Sequence, residues 1–152
     1  MGRIRTPCIG VCSTGLGDQV CRGCKRFEYE VIDWNAFSQE QKQAIDARLE
    51  SLLTSLLKAR FNIADENRFR AALDLQRIRY AEYRNPYCWI FDLLKAGASQ
   101  IKDPSEYGLS LHLAYRNISL KQQLEEIDQD FYTLSEAHFQ RYISGPMQGR
   151  EK

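Results

Sequence analysis

The stretch from Thr6 to Arg26 reads TPCIGVCSTGLGDQVCRGCKR, and its spacing, Cys8-x3-Cys12-x8-Cys21-x2-Cys24, decides how the chain is organised. It holds four cysteines, four glycines and one proline, with little apolar periodicity. A segment of that kind cannot build a core of its own, so something other than burial must fix it. Two close cysteine pairs joined by a short loop suit four-thiolate coordination, because each pair presents both sulfurs on one turn. Gly10 and Gly23 lie inside the pairs, where a tight backbone and amide donors to sulfur are useful. Gly15 and Gly17 fall in the joining loop. Arg22 and Lys25 flank the second pair and are expected to lower the thiol pKa values. Other readings fit less well. A double disulfide needs an export route that the sequence does not show, and a redox pair at Cys21 and Cys24 leaves Cys8 and Cys12 unexplained.

Outward from the cysteines the character changes. Before them, Met1–Pro7 has basic residues but no apolar run behind them, which is not a signal peptide, and Gly2 is a weak match to a myristoylation site. After them the apolar residues take up helical spacing. Ser38 and Gln41 form a capping box, and Ile45, Leu49, Leu52, Leu53, Leu56 and Leu57 follow, with an end expected near Phe61. A second helix is predicted over 65–83 with Phe69, Leu73 and Tyr80 inward. A third starts at Asn85-Pro86 and stops at Gly97, and a fourth runs from Asp103-Pro104 to about Asn117. The last carries Leu120, Leu124, Ile127, Phe131, Leu134 and His138 on one stripe and ends at Gly145-Pro146. No alternating strand of useful length is legible outside the cysteine segment. The predicted fold class is all-α: a small cysteine-rich metal knuckle followed by a bundle of about five helices. The domains are expected at 1–37 for the knuckle, 38–145 for the helices and 146–152 for a flexible tail.

The bulk numbers exclude several classes. The 152 residues suffice for one domain, or for a small module plus a modest one. With 43% hydrophobic and 27% charged residues the composition is globular. A net charge of +1 supplies no global pull towards nucleic acid or lipid. Residues 1–27 are locally basic and residues 28–50 acidic; a basic start suits a phosphate partner, but the favoured reading is that it offsets the charge of a metal–thiolate centre. No apolar run approaches the roughly 20 residues that a membrane helix needs. The expected location is cytoplasmic, where clustered cysteines favour metal chemistry over disulfides.

At the cysteines the chain resembles a known family. Thr6-Pro7-Cys8-Ile9-Gly10-Val11-Cys12, Cys21-Arg22-Gly23-Cys24-Lys25-Arg26, then Glu30, Ile32, Trp34 and Ser38 look like the bacterial family catalogued as domain of unknown function 1289. The similarity covers about residues 6–50, and members are labelled predicted iron–sulfur proteins. The resemblance implies that Cys8, Cys12, Cys21 and Cys24 are the ligands of an iron–sulfur cluster. Phe27-Glu28-Tyr29 departs from the Thr-containing stretch of many members without touching the ligands. Spacing alone does not separate such a cluster from one structural zinc ion.

Other residues have ordinary readings. Cys88, within an apolar helix, reads as a core thiol, and His112 and His138 as partly buried, hydrogen-bonded side chains. Arg77, Arg79, Tyr80, Tyr83 and Arg84 interleave charge and rings as a single-strand binder would, yet also as a solvated helix face does. Glu125, Glu126, Asp128 and Asp130 read as a solvated face, and Trp34 and Phe37 as packing between the knuckle and the first long helix. No catalytic residues, nucleotide loop or triad are legible, so no enzymatic activity is assigned. The expected function is a metal-binding accessory protein in electron transfer, sensing or cluster supply. The alternative is a structural-zinc module that binds a partner. That partner is expected to be a protein, with RNA weakly supported, no membrane, and a homodimer compatible with the last helix.

Overall fold

In the computed structural model residues 18–141 are described. Along them run α1 (Glu28–Ile32), α2 (Gln39–Lys58), β1 (Phe61–Ile63), α3 (Glu66–Leu75), α4 (Pro86–Gly97), β2 (Leu109–Leu111) and α5 (Leu120–Phe139). The described chain is mostly helical, as the periodicity predicts. It falls into two compact units, one of residues 18–49 and 130–141, the other of residues 50–129, and α2 and α5 contribute to both. Cys8, Cys12 and the expected tail at 146–152 lie outside the described residues. Among the described residues no helix is long and apolar enough to cross a membrane.

In the first unit, α2 opens on the expected reciprocal cap. The Gln41 amide donates to Ser38 Oγ at 3.2 Å, and the Ser38 amide donates to Gln41 Oε1 at 2.8 Å. Upstream of it, α1 and a 3-10 turn over Trp34–Ala36 occupy a stretch expected to belong to the knuckle. Val20, Phe27 and Tyr132 form the core here, with Phe139 packed against them. Burying a ring such as Phe27 stabilises a small unit by about 1.5–3 kcal/mol.

Three expectations are corrected, two of them within the second unit and one on α5. The helix predicted over 65–83 ends at Leu75. Arg77 takes a left-handed φ of 55°, and the Ile78 and Arg77 amides donate to Leu73 O (3.0 Å) and Asp74 O (3.1 Å). That is a Schellman ending, built without the glycine that normally announces it. Residues 76–85 then form a loop held from α4: Trp89 Nε1 donates to Ala81 O at 2.9 Å, and the Ala81 amide donates to Asp92 Oδ2 at 3.1 Å. The α4 start is as predicted, with Asn85 Oδ1 accepting from the Tyr87 amide at 3.0 Å and Pro86 in the first position.

The second correction concerns 104–117, which is not one helix. It contains short 3-10 turns at Pro104–Tyr107 and Leu113–Tyr115 with β2 between them. β2 pairs antiparallel with β1 in the register Phe61↔Leu111, Asn62↔Ser110 and Ile63↔Leu109. Three residues are too few for an alternating pattern to stand out, so the pair escapes a periodicity reading. It also ends the first long helix at Lys58, since Phe61 belongs to β1. The third correction is on α5. Ile127 and Phe131 are buried as expected, but Leu134 is 40% exposed while Gln123 is fully buried. Gln123 is inside because it is satisfied: its Oε1 accepts from Arg60 Nη1 at 3.0 Å and its Nε2 donates to Tyr115 O at 2.9 Å. Arg60 also reaches Glu126 at 3.1 Å, so one of the four acidic residues expected on a solvated face is an ion-pair partner.

The β1–β2 pairing depends on Gly108. Its φ is +70°, its carbonyl accepts from the Ala64 amide at 2.9 Å, and a Cβ there would stand 2.8 Å from Asp65 O. Left-handed strain and that clash act together, so Gly108→Ala is expected to lower the unfolding free energy by about 1–3 kcal/mol. Urea denaturation of the two proteins measures the difference, and an unchanged midpoint would show that the strand pair tolerates the methyl group.

Candidate metal centre

Cys21 and Cys24 sit on the turn of a short hairpin. Val20 and Phe27 bridge antiparallel across it, and the Glu28 amide donates to Gln19 O at 2.8 Å. Inside that bridge the Cys21 amide donates to Arg26 O and the Lys25 amide donates to Cys21 O, each at 2.8 Å. The turn closes because Lys25 adopts a left-handed φ of 66°. The expected source of tight backbone was Gly23, but Gly108 is the glycine with positive φ among the described residues. A lysine in that conformation needs compensation. Its Nζ donates to the carbonyls of Arg22 and Gly23 and lies 5.5 Å from the Phe131 ring centroid. The ammonium thus caps the turn from below, and Lys25 is fully buried.

Both thiols are shielded, Cys21 being 1% and Cys24 8% exposed. Arg26, also buried, donates from Nε to Cys24 Sγ at 3.1 Å. Its guanidinium lies 4.9 Å from the Trp34 ring centroid, and Lys42 Nζ of α2 lies 5.5 Å from the same centroid. Trp34 therefore packs the turn against α2, as its place in the sequence suggests. The expected charge effect needs correction. Burial pushes the Cys24 thiol up, and the residue that opposes it is Arg26, through its hydrogen bond and charge. Arg22 points elsewhere, to Asp18 at 3.3 Å and over the Tyr132 ring at 4.5 Å.

The hairpin is anchored through Phe27 and Glu30. Arg48 of α2 holds Glu30 with two 2.7 Å bonds and stands 4.0 Å from the Phe27 ring centroid. Glu30 Oε1 also accepts from the Phe27 amide at 2.8 Å, which starts α1. From α5, Phe139 meets Phe27 edge-on at 5.1 Å and His138 stacks on it at 6.0 Å. His138 is half-buried as expected, and burial followed by the nearby Arg48 charge lowers its pKa. His112 departs from expectation: it is exposed, though its Nε2 lies 2.9 Å from Lys58 O.

Among the described residues no three His, Cys, Asp or Glu side chains cluster to hold a metal. The structure brings Cys21 and Cys24 together on one turn, while Cys8 and Cys12 lie outside the described residues. What is described fits a thiolate-bound metal: two shielded sulfurs on one turn, with a buried guanidinium on one of them.

Residues 6–52 match the family model described as Protein of unknown function (DUF1289). The match bears out the resemblance carried by the cysteines and Trp34. The matched segment spans the cysteine turn, α1 and the greater part of α2, and the remaining residues lie beyond it. No curated protein and no solved structure matches the chain.

The fifth cysteine is a core thiol. Cys88 is buried, its Sγ is 3.3 Å from Thr54 Oγ1, and burial pushes its pKa from near 9 to about 11. Below pH 9 the thiol is protonated whether the chain is folded or not, so the full stability is present. Between about 9 and 11 the unfolded chain releases the proton first, and stability falls as pH rises. Cys88→Ala is expected to flatten that part of the profile relative to the parent. Urea midpoints at half-unit steps from pH 8 to 11 measure it, and parallel profiles would place the titration elsewhere.

Proposed function

We propose that the chain is a metal-binding accessory protein whose Cys8, Cys12, Cys21 and Cys24 form a four-thiolate centre. Its occupant, as the family resemblance implies, is an iron–sulfur cluster serving electron transfer, sensing or cluster supply. The observation that carries the reading is the buried Cys21–Cys24 turn with Arg26 Nε on Cys24 Sγ. An isolated thiol pair gains little from such a donor, whereas a metal-bound thiolate keeps its negative charge and is stabilised by it. Hydrogen bonds to sulfur are also a lever on cluster potential. The chain's own residues hold the sulfurs, shield them and set the charge around them, and the bound group supplies the redox chemistry.

A structural zinc ion is the second reading, favoured by the closure of the turn. Cys21 is held by backbone bonds to Lys25 and Arg26 and Cys24 by Arg26 Nε, next to Val20 and Phe27 of the small core. A unit of this size gains folding energy from a metal staple, and the protein would then be an interaction module.

The deciding measurement is metal content and the visible spectrum of the full chain purified without oxygen. Iron with matching sulfide and a bleachable band near about 400 nm supports the cluster. One colourless zinc per chain supports the second reading, and no metal in either form ends both. The Arg26 contact is tested separately in cobalt-loaded protein. Arg26→Gln is expected to weaken metal retention about 10–100-fold against a chelator and to shift the sulfur-to-cobalt band, and Arg26→Lys to recover part of the affinity. An unmoved band would show that the guanidinium only packs.

A further inference from the structure

The second unit carries a cavity of about 500 Å³ that no assigned role explains. Three cations line it, Lys102 from the loop after α4, Arg116 after the second 3-10 turn and Lys121 from α5, and no carboxylate does. None of the three is paired with an acidic side chain among the described residues. Three like charges brought to one concavity repel each other, and a chain with a net charge of only +1 has acidic residues to spare for neutralising them. Arg116 is oriented by the fold, since its Nε donates to Leu111 O at 3.4 Å and leaves the outer guanidinium nitrogens for another acceptor.

Neutral polar groups complete the lining. Ser99, Asn117 and Ser119 contribute to it, and the Ser119 hydroxyl accepts from the Gln122 amide at 3.1 Å, which leaves its own proton to donate. Ile118 and Leu120 add an apolar part against which an organic moiety can rest. Next to Arg116 in the chain, Tyr115 O accepts from Gln123 Nε2 at 2.9 Å.

We infer that this cavity binds a small phosphate-bearing molecule, with Lys102, Arg116 and Lys121 taking the phosphate oxygens and Ile118 and Leu120 the organic part. A guanidinium fork with two ammonium groups suits the several charged oxygens of a phosphate or diphosphate better than a single carboxylate. The site is independent of the cysteine centre, and its failure would leave that reading untouched.

The test is isothermal titration of the full chain with inorganic pyrophosphate at low salt. Saturable one-to-one binding with a Kd of about 1 mM or below is expected. Arg116→Gln and Lys121→Gln should each weaken it about tenfold, since each removes a charge-assisted bond. Arg79→Gln, an exposed cation outside the cavity, should leave it unchanged. Circular dichroism of each variant checks that the fold is retained. Absence of saturation overturns the inference, as does an equal loss in Arg79→Gln. An RNA oligonucleotide that binds where pyrophosphate does not would also overturn it, in favour of a polyanion surface.

Discussion

Glu30 accepts hydrogen bonds from the Phe27 amide and from two nitrogens of Arg48 while almost wholly removed from water. A carboxylate so placed is tolerable because both of its oxygens are bonded, and removing one partner from such a pair costs about 3–5 kcal/mol. The geometry of the cysteine turn rests on it. The same carboxylate starts α1 at Phe27 and pins it to α2. Phe27 then presents its ring to Arg48 and to α5, and the cysteines stand a few residues upstream on the hairpin whose base is the Val20–Phe27 bridge.

What the sequence announces and what it hides divides along physical lines. Elements that begin with a side-chain cap are legible, as the Ser38–Gln41 box and the Asn85-Pro86 start show. Elements that end through the backbone alone are not. Arg77 stops α3 in a left-handed conformation that its identity does not advertise, and the two strands are too short for alternation to be seen. Leu134, expected inward on α5, is exposed, while Gln123 is buried because Arg60 and Tyr115 bond both ends of its side-chain amide. A hydrophobicity pattern has no means of knowing that.

At the site the same division holds. Cysteine spacing points to Cys21 and Cys24, and the structure places both on one shielded turn. The cations beside them are misread from sequence, because adjacency is not contact. Arg22 and Lys25 are nearest in the chain, yet one turns to Asp18 and the other caps carbonyls. Arg26 reaches the sulfur, and its signal was available as a charged residue two positions past a cysteine, ahead of a tryptophan.

The chain has two tryptophans, and the fold gives one to each unit. Trp34 lies beside Arg26 and Lys42, next to the sulfur-bearing turn, and Trp89 is buried between Phe69 and Tyr80. The molecule therefore carries two built-in fluorophores in unlike surroundings. Trp34 emission follows events at the cysteine turn, Trp89 emission follows the integrity of the other unit, and a single-tryptophan version of the chain makes either half optically silent.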